Sequence, residues 1–366
     1  DALSSSATVA LNGDAELDLN DRQTSLGKLT SSSSSSTARI KAGRLTLTSG
    51  DNYSFAGTLG GAGELVKQGA GELTLTGLQS ASLTTTIDGG TVRLRNNTPS
   101  FGAYYLGSGS LVIESLADSF SEPVNIDATI ANLSSLRIGK STNTADINLK
   151  DIASIEGSVT VHAGGFDLGS VAVLGSNTGN VTVNTTGLTG SGEIFIGTGT
   201  LTVNQSANAT YGGVIGGAGQ LVLGGSSTLT LTGKSSYAGN TTINRGSSLV
   251  MSGDGALGWS SGTAAYAGNI VINGDSFNYG ASTEQLLSGN ISGSGDLVQS
   301  GPGDLILTGS LTHTGTTTVD GGMLVIRSDA PSTANNSIGG VGSLTIAPAS
   351  TSFSGSFDSS NWTFAS

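Results

Sequence analysis

The chain has 366 residues, 58 of them Gly and none Cys, with 26 acidic and 14 basic side chains and a formal net charge of −12. Basic residues this few and scattered exclude a phosphate-neutralising nucleic-acid surface, and the lack of Cys excludes a disulfide framework and thiol chemistry. High Gly often marks disorder, but only 11% of the residues are charged, and Val, Ile, Leu and Thr alternate in short runs, so the chain reads as folded and nearly all β.

The chain starts at Asp1 with no initiating Met, as expected of a processed or excised piece of a longer protein. No apolar run approaches the ~18 residues of a membrane helix, and no stretch reads as a signal peptide. The first phrase is "GDAELDLNDRQTSLGKL" (Gly13–Leu29). The next, "KAGRLTLTSG" (Lys41–Gly50), alternates apolar and polar residues, the pattern of a strand with one buried face. Phe55–Leu94 contains "GGAGELVKQGAGELTLTG" and then "TTTIDGG", and it recurs without a gap as Tyr211–Val250 and Leu287–Ile326. Leu65, Leu221 and Leu297 share one position, and Leu73, Leu229 and Leu305 another; Gly63, Gly219 and Gly295 correspond, as do Gly77, Gly233 and Gly309.

Residues 100–205, between the first two copies, depart most from the repeat. They hold "FGAYYLGSG" (Phe101–Gly109), "KSTNTADINLK" (Lys140–Lys150), "GSNTGNVTVNTTG" (Gly175–Gly187) and a degenerate copy, "GSGEIFIGTGTLTVN" (Gly190–Asn204). The second copy runs into "RGSSLVMSGDGALG" (Arg245–Gly258) and the insert-like "GWSSGTAAYAGN" (Gly258–Asn269), and "VGSLTIAP" near the end looks like one more strand of the same kind.

Strands of three to six residues, bounded by Gly, Asn, Asp and Ser, dominate this reading. Like apolar residues recur after about 21 residues, as from Leu65 to Ile87 and from Leu73 to Leu94, which predicts one coil of a parallel β-helix with like residues stacked between coils. About 17 coils at the ~4.8 Å strand spacing give a rod of roughly 80 Å. A sandwich or barrel is the competing architecture, and it needs two-residue hairpin turns that are infrequent here. On this reading Leu65, Leu73 and Leu75 point inward and glycines form the corners. Asp88, Asn244 and Asp320 hold equivalent structural turns.

Taken together, "GAGELVKQGAGELTLTG…TTTIDGGTVRL", the Gly13–Leu29 phrase and the Arg245–Gly258 phrase resemble the passenger-associated strand repeat of autotransporters, the type V secreted proteins of Gram-negative bacteria. The resemblance implies an all-β, right-handed parallel β-helix over residues 1–366, displayed outside the outer membrane or released. The translocator barrel, whose alternating ~10-residue strands are not recognisable here, would lie outside this chain. The resemblance further implies a virulence-associated adhesin of the self-associating kind, whose partner is the same passenger on a neighbouring cell, paired side by side and antiparallel to promote aggregation and biofilm formation. Host matrix or glycan is the alternative partner, and a polysaccharide-active enzyme on the same fold is a third reading.

The residues offer little chemistry. His162 and His313 stand apart from any GxSxG motif and are expected to be solvent-facing, so no catalytic residues are assigned. Glu64 and Glu72, like Asp296 and Asp304, stand eight apart in faint likeness to a calcium-binding β-roll, but the second copy has Gln220 and Thr228 there, so no metal or cofactor is expected. The Gly-rich cores lead into strands rather than helices, unlike phosphate loops. A specific interface is therefore sought where the repeat breaks down, at Asn143, Thr144, Asn177, Thr178, Asn180, Asn184 and Thr185. Their plainer reading is as ordinary solvated turns and ladders. Tyr104, Tyr105 and Trp259 are offered for stacking on sugars, against the plainer reading that they cap the core.

Overall fold

The computed structural model describes residues 4–327, 336–338, 342–349 and 362–364. Among them there are strands and no helix. The chain divides into two compact units, Asp1–Gly179 and Asn180–Ser366, each built from stacked parallel strands. Each unit is a stack of parallel β-solenoid turns. The expectation that the β-helix reaches residue 366 falls in part outside the described residues.

In the first unit, one sheet stacks Gln23–Leu26, Arg44–Leu47, Glu64–Lys67, Thr84–Ile87, Tyr104–Leu106, Thr129–Ala131, Ile152–Ile155 and Val173–Ser176 in parallel. A second stacks Tyr53–Phe55, Glu72–Leu75, Thr91–Arg95, Ser110–Glu114, Ser135–Ile138 and Ser158–His162. The third side is interrupted: Glu16–Asp18, Thr37–Arg39 and Thr58–Gly60 form one piece, and Val124–Ile126, Ile147–Leu149 and Gly165–Leu168 another. Alternation explains the core. Leu73, Val92, Leu111, Leu136 and Val159 lie in one register row, and Leu75, Leu94, Ile113, Ile138 and Val161 in the next inward row; all ten are buried. Each such side chain contributes about 1.5–3 kcal/mol of burial.

In the second unit, Val181–Thr185, Thr200–Gln205, Gln220–Gly225, Thr241–Ile243, Ile270–Ile272 and Ile291–Gly293 stack on one side. Ala209–Tyr211, Thr228–Leu231, Ser248–Gly253, Ser276–Ala281, Asp296–Gln299 and Thr317–Val319 stack on another. Thr263–Tyr266, Gln285–Leu287, Leu305–Leu307, Met323–Arg327 and Ser343–Ala347 form the third. One insertion departs from the parallel pattern. Trp259–Ser260 pairs antiparallel with Thr263–Tyr266, joined by Ser261 and Gly262, whose φ values of 49° and 88° are those of a two-residue type I′ turn.

The register corrects the sequence reading in one respect. Leu65 pairs with Thr85, and it is Lys67 that pairs with Ile87; Leu73 pairs with Val92, and Leu75 with Leu94. The turn is therefore two residues shorter than the apolar spacing suggested. A slip of two residues keeps every side chain on its own face, so alternation alone cannot separate the two registers.

The repeat is held by its corners. Gly61, Gly217 and Gly293 share one position and have φ of 104°, 107° and 106°, a region costly for any residue with a Cβ. Gly63, Gly219 and Gly295 share another, where a Cβ would lie 2.7, 2.5 and 2.5 Å from Cγ2 of Ile40, Ile196 and Ile272 in the preceding turn. The equivalent turn residues Asp88, Asn244 and Asp320 each donate a backbone N–H to the preceding turn, at Lys67, Leu223 and Gln299 O, over 2.8, 2.9 and 2.8 Å.

One interior position of the repeat is polar in all three copies. Thr85, Thr241 and Thr317 are fully buried. The Thr241 hydroxyl meets Tyr237 Oη at 2.7 Å and Tyr266 Oη at 2.8 Å. The Thr317 hydroxyl meets His313 Nε2 at 3.0 Å, since His313 occupies the place of Tyr237. The first copy has Ala81 there, and Thr85 Oγ1 finds no partner among the described residues. His313 is thus 1% exposed, not solvent-facing as the sequence suggested, because its repeat position points inward. His162 is half-buried at the end of Ser158–His162.

Two expectations follow from these interior constraints. Gly293→Ala places a Cβ at φ +106° and 2.2 Å from Ile272 O, and it is expected to lower stability by at least about 1–3 kcal/mol. Gly50→Ala, where nothing lies within 4 Å, is expected to stay within about 0.5 kcal/mol of the parent; equal urea midpoints for the two variants would remove the corner argument. Burial pushes the His313 imidazole below its ordinary pKa, with Asp296 partly opposing, and burial and Arg137 push His162 the same way. The unfolded chain then takes up these protons first, so stability is intact above the ordinary histidine pKa and falls as pH drops below it. His313→Gln keeps a hydrogen-bonding group toward Thr317 without titrating, and it is expected to reduce the drop in urea midpoint between neutral and mildly acidic pH. An undiminished drop would place the linkage elsewhere.

Candidate functional site

The densest polar constellation lies on the first unit. Glu72, Arg93, Glu114 and Arg137 come from four consecutive strands of one sheet. Arg93 donates to both Glu72 oxygens, Nε–Oε1 at 2.8 Å and Nη2–Oε2 at 2.6 Å. Its Nη1 lies 2.9 Å from Glu114 Oε2, which Arg137 Nη2 reaches at 2.6 Å; Arg95 Nε lies 3.6 Å from Glu114 Oε1. Glu114 is only 6% exposed, and a carboxylate so desolvated requires this much cationic company. The Arg93 guanidinium holds the Glu72 carboxyl below the usual range. Both carboxylates are held by arginines of neighbouring turns, an arrangement that ties those turns together.

The sequence-predicted interface residues divide between the units and within them. In the first unit, Asn143 is 7% exposed. Its Oδ1 accepts from Ser119 Oγ at 2.9 Å and from Phe120 N at 3.1 Å, while Nδ2 donates to Ala145 O and His162 O at 3.0 and 2.9 Å. All of its amide groups serve the fold, so it is not a surface contact. Thr144 is exposed, with its N–H donating to Ser119 Oγ at 3.1 Å. Asn177 and Thr178 are exposed; they donate to Glu156 Oε1 and O at 2.7 and 2.6 Å.

In the second unit, Asn180 is exposed, and its Oδ1 accepts from Thr200 N at 3.0 Å. Asn184 is half-buried and receives Asn204 Nδ2 at 2.9 Å. Thr185 is 7% exposed, closed on Gly187 by two hydrogen bonds of 3.1 and 3.2 Å. It too is a structural residue, because its place in Val181–Thr185 faces inward.

Asn180 exposes a device that the sequence reading missed. Asn52, Asn180, Asn208, Asn240, Asn269 and Asn290 each stand immediately before a strand. The Oδ1 of each accepts a backbone N–H one turn later, at Glu72, Thr200, Thr228, Asn269, Asn290 and Ser310, over 2.8–3.0 Å. Each bond satisfies a donor at a corner where the ladder is interrupted. The signal was present as Asn at the head of an alternating run.

The aromatic candidates separate cleanly. Tyr104 is 47% exposed on an outward row. Tyr105 is buried, with its hydroxyl donating to Gln79 Oε1 and accepting from Gly102 N, both at 2.9 Å; it belongs to the core because it follows Thr85 in the same inward row. Trp259 is half-exposed on the inserted hairpin, with Lys234 Nζ 4.2 Å from its ring centroid.

Two concavities are relevant. In the first unit, a shallow polar groove of about 430 Å³ is lined by Asp21, Arg44, Glu64 and Thr84 among others. Glu64 there accepts from Thr86 Oγ1 at 2.6 Å and pairs with Arg44 at 3.3 Å, so it is already engaged. In the second unit, a cavity of about 550 Å³ is lined by Trp259, Thr263, Glu284, Leu286, Ile306 and Arg327 among others. No group of three or more His, Cys, Asp or Glu side chains suited to a metal ion occurs among the described residues. Glu64 and Glu72 are tied to neighbouring strands, and Asp296 Oδ1 accepts from Thr316 N at 2.7 Å.

The model of the passenger-associated-transport-repeat matches this chain three times, over residues 65–94, 221–247 and 297–326. No curated protein and no solved structure matches it. The matched stretches fall within the three copies and include the buried threonines Thr85, Thr241 and Thr317 and the turn bonds at Asp88, Asn244 and Asp320. In these three repeats and in its parallel solenoid turns, the chain is similar to an autotransporter passenger.

Proposed function

We propose that this passenger is a non-enzymatic, surface-displayed adhesin that associates with copies of itself on neighbouring cells and so promotes aggregation and biofilm formation. The carrying observation is the outward rows. Several rows opposite the core stack neutral amides and hydroxyls in register. Asn148 Nδ2 meets Asn125 Oδ1 at 3.1 Å and Ser135 Oγ meets Ser110 Oγ at 2.8 Å in the first unit. Asn204 meets Asn184 at 2.9 Å and Ser276 meets Ser248 at 3.3 Å in the second. Each hydroxyl or amide bonded across an interface nets only about 0.5–1.5 kcal/mol, but in-register rows repeat the contact, and many copies per cell multiply it. Thr144, Asn177 and Thr178 are the exposed members of the predicted interface in the first unit, and Asn180 is the exposed one in the second.

Cells displaying the passenger are expected to clump and settle, with modest dependence on salt because neutral groups dominate. Replacing Thr144, Asn177 and Thr178 together by Ala is expected to slow settling several-fold at unchanged surface level and unchanged melting. Displaying cells that stay dispersed, with purified chain that sediments as a monomer at high concentration, would refute the proposal.

A further inference from the structure

The inserted hairpin builds something that the repeat does not. Ser248–Gly253 pairs with Ser276–Ala281, and the chain between them carries extra residues relative to the adjoining turns. Those residues form the Trp259–Tyr266 hairpin. Beside it, the row Ala265–Leu286–Ile306–Val325 opposite the core is apolar over four consecutive turns, with Val325 itself buried, whereas the rows Thr202–Val222–Thr242–Val271 and Thr230–Val250–Asn278–Val298 of the same unit alternate Val with Thr or Asn. The hairpin presents Trp259 at the edge of this row, and a cavity of about 550 Å³ opens there. That volume falls within the range of small-ligand pockets.

The lining is mixed in a particular way. Trp259, Leu286 and Ile306 supply apolar surface, while Glu284 and Arg327 supply one anion and one cation. Both charged residues are exposed, and among the described residues neither forms an ion pair. Lys234, which does not line the cavity, sits over the indole ring and steadies it, a contact worth about 0.5–1 kcal/mol at an exposed site.

From this lining we propose that the cavity binds a pyranose unit of a polysaccharide or glycan. A pyranose ring has a C–H face for the indole and the Leu286–Ile306 floor, and it has hydroxyls at its rim. A carboxylate accepts from those hydroxyls and a guanidinium donates to them, so Glu284 and Arg327 are both satisfied by one neutral ligand. An apolar peptide side chain would cover the same floor but would desolvate both charges without pairing them. The site stands independently of homotypic pairing, since it uses none of the rows invoked for that.

The test is a fluorescence and calorimetric titration of the purified chain with a panel of neutral hexose and N-acetylhexosamine oligosaccharides. Bacterial-polysaccharide fragments and glycoprotein-type glycans form separate arms, which identify the source. Saturable binding is expected in at least one arm. Trp259→Ala is expected to weaken it about tenfold or more, the loss of roughly 1.4 kcal/mol or more of affinity, and Trp259→Phe less. Glu284→Gln, which keeps the shape of the site, is expected to weaken it as well, with unchanged melting in every variant. The proposal is overturned if no saccharide binds the parent chain, if Trp259→Ala binds as the parent does, or if a leucine-rich peptide binds the cavity in place of saccharide. Cell clumping is scored in parallel, so a failure of sugar binding and a failure of self-association are read separately.

Discussion

In-register parallel stacking constrains everything else in this molecule. Within each stack, apart from the Trp259 hairpin and the end strands, a strand hydrogen-bonds to the strand one turn before and one turn after, so the residue at a given place in one turn lies about 4.8 Å from its counterpart in the next. An inward position must therefore suit two neighbours of its own kind, and an outward one likewise. Rows such as Leu73–Val92–Leu111–Leu136–Val159 meet the demand with branched aliphatic residues. The corners meet it with glycines, whose backbones lie against the carbonyls of the turn before.

That regularity made the fold legible. Short alternating runs, glycines at fixed places and three ungapped copies specify a parallel solenoid with little room for another architecture. The register was not legible, because a period of two residues cannot tell a pairing of Leu65 with Thr85 from one with Ile87. Position also hid what composition suggested. Asn143 and Thr185 look like surface polars in the sequence, yet one is bonded through every amide group and the other faces the core. His313 looks like a loop residue until the repeat is laid over Tyr237, when its inward direction follows.

The polar interior shows how much variation the design absorbs. A buried hydroxyl recurs at Thr85, Thr241 and Thr317, but what meets it differs: Tyr237 with Tyr266 in one copy and His313 in another. The arginine–glutamate chain through Glu72, Arg93, Glu114 and Arg137 is likewise confined to four turns. Local idiosyncrasy of this sort is tolerated because each turn answers only to its neighbours. The Trp259 hairpin is the extreme case, an outgrowth that leaves the inward rows on either side of it intact.

Within the second unit, the copies that begin at Tyr211 and Leu287 do not lie on the same side. Gln220–Gly225 belongs to one sheet, whereas its counterpart Asp296–Gln299 continues the sheet that holds Thr228–Leu231. The same sequence phrase thus serves two sides, which means that it encodes a step around the coil and not an address on it. Gaining or losing a single strand and corner would leave the interior rows compatible while turning every downstream side chain to a new compass bearing. A repeat of this kind specifies what holds each turn together and leaves open which surface the turn shows to the world.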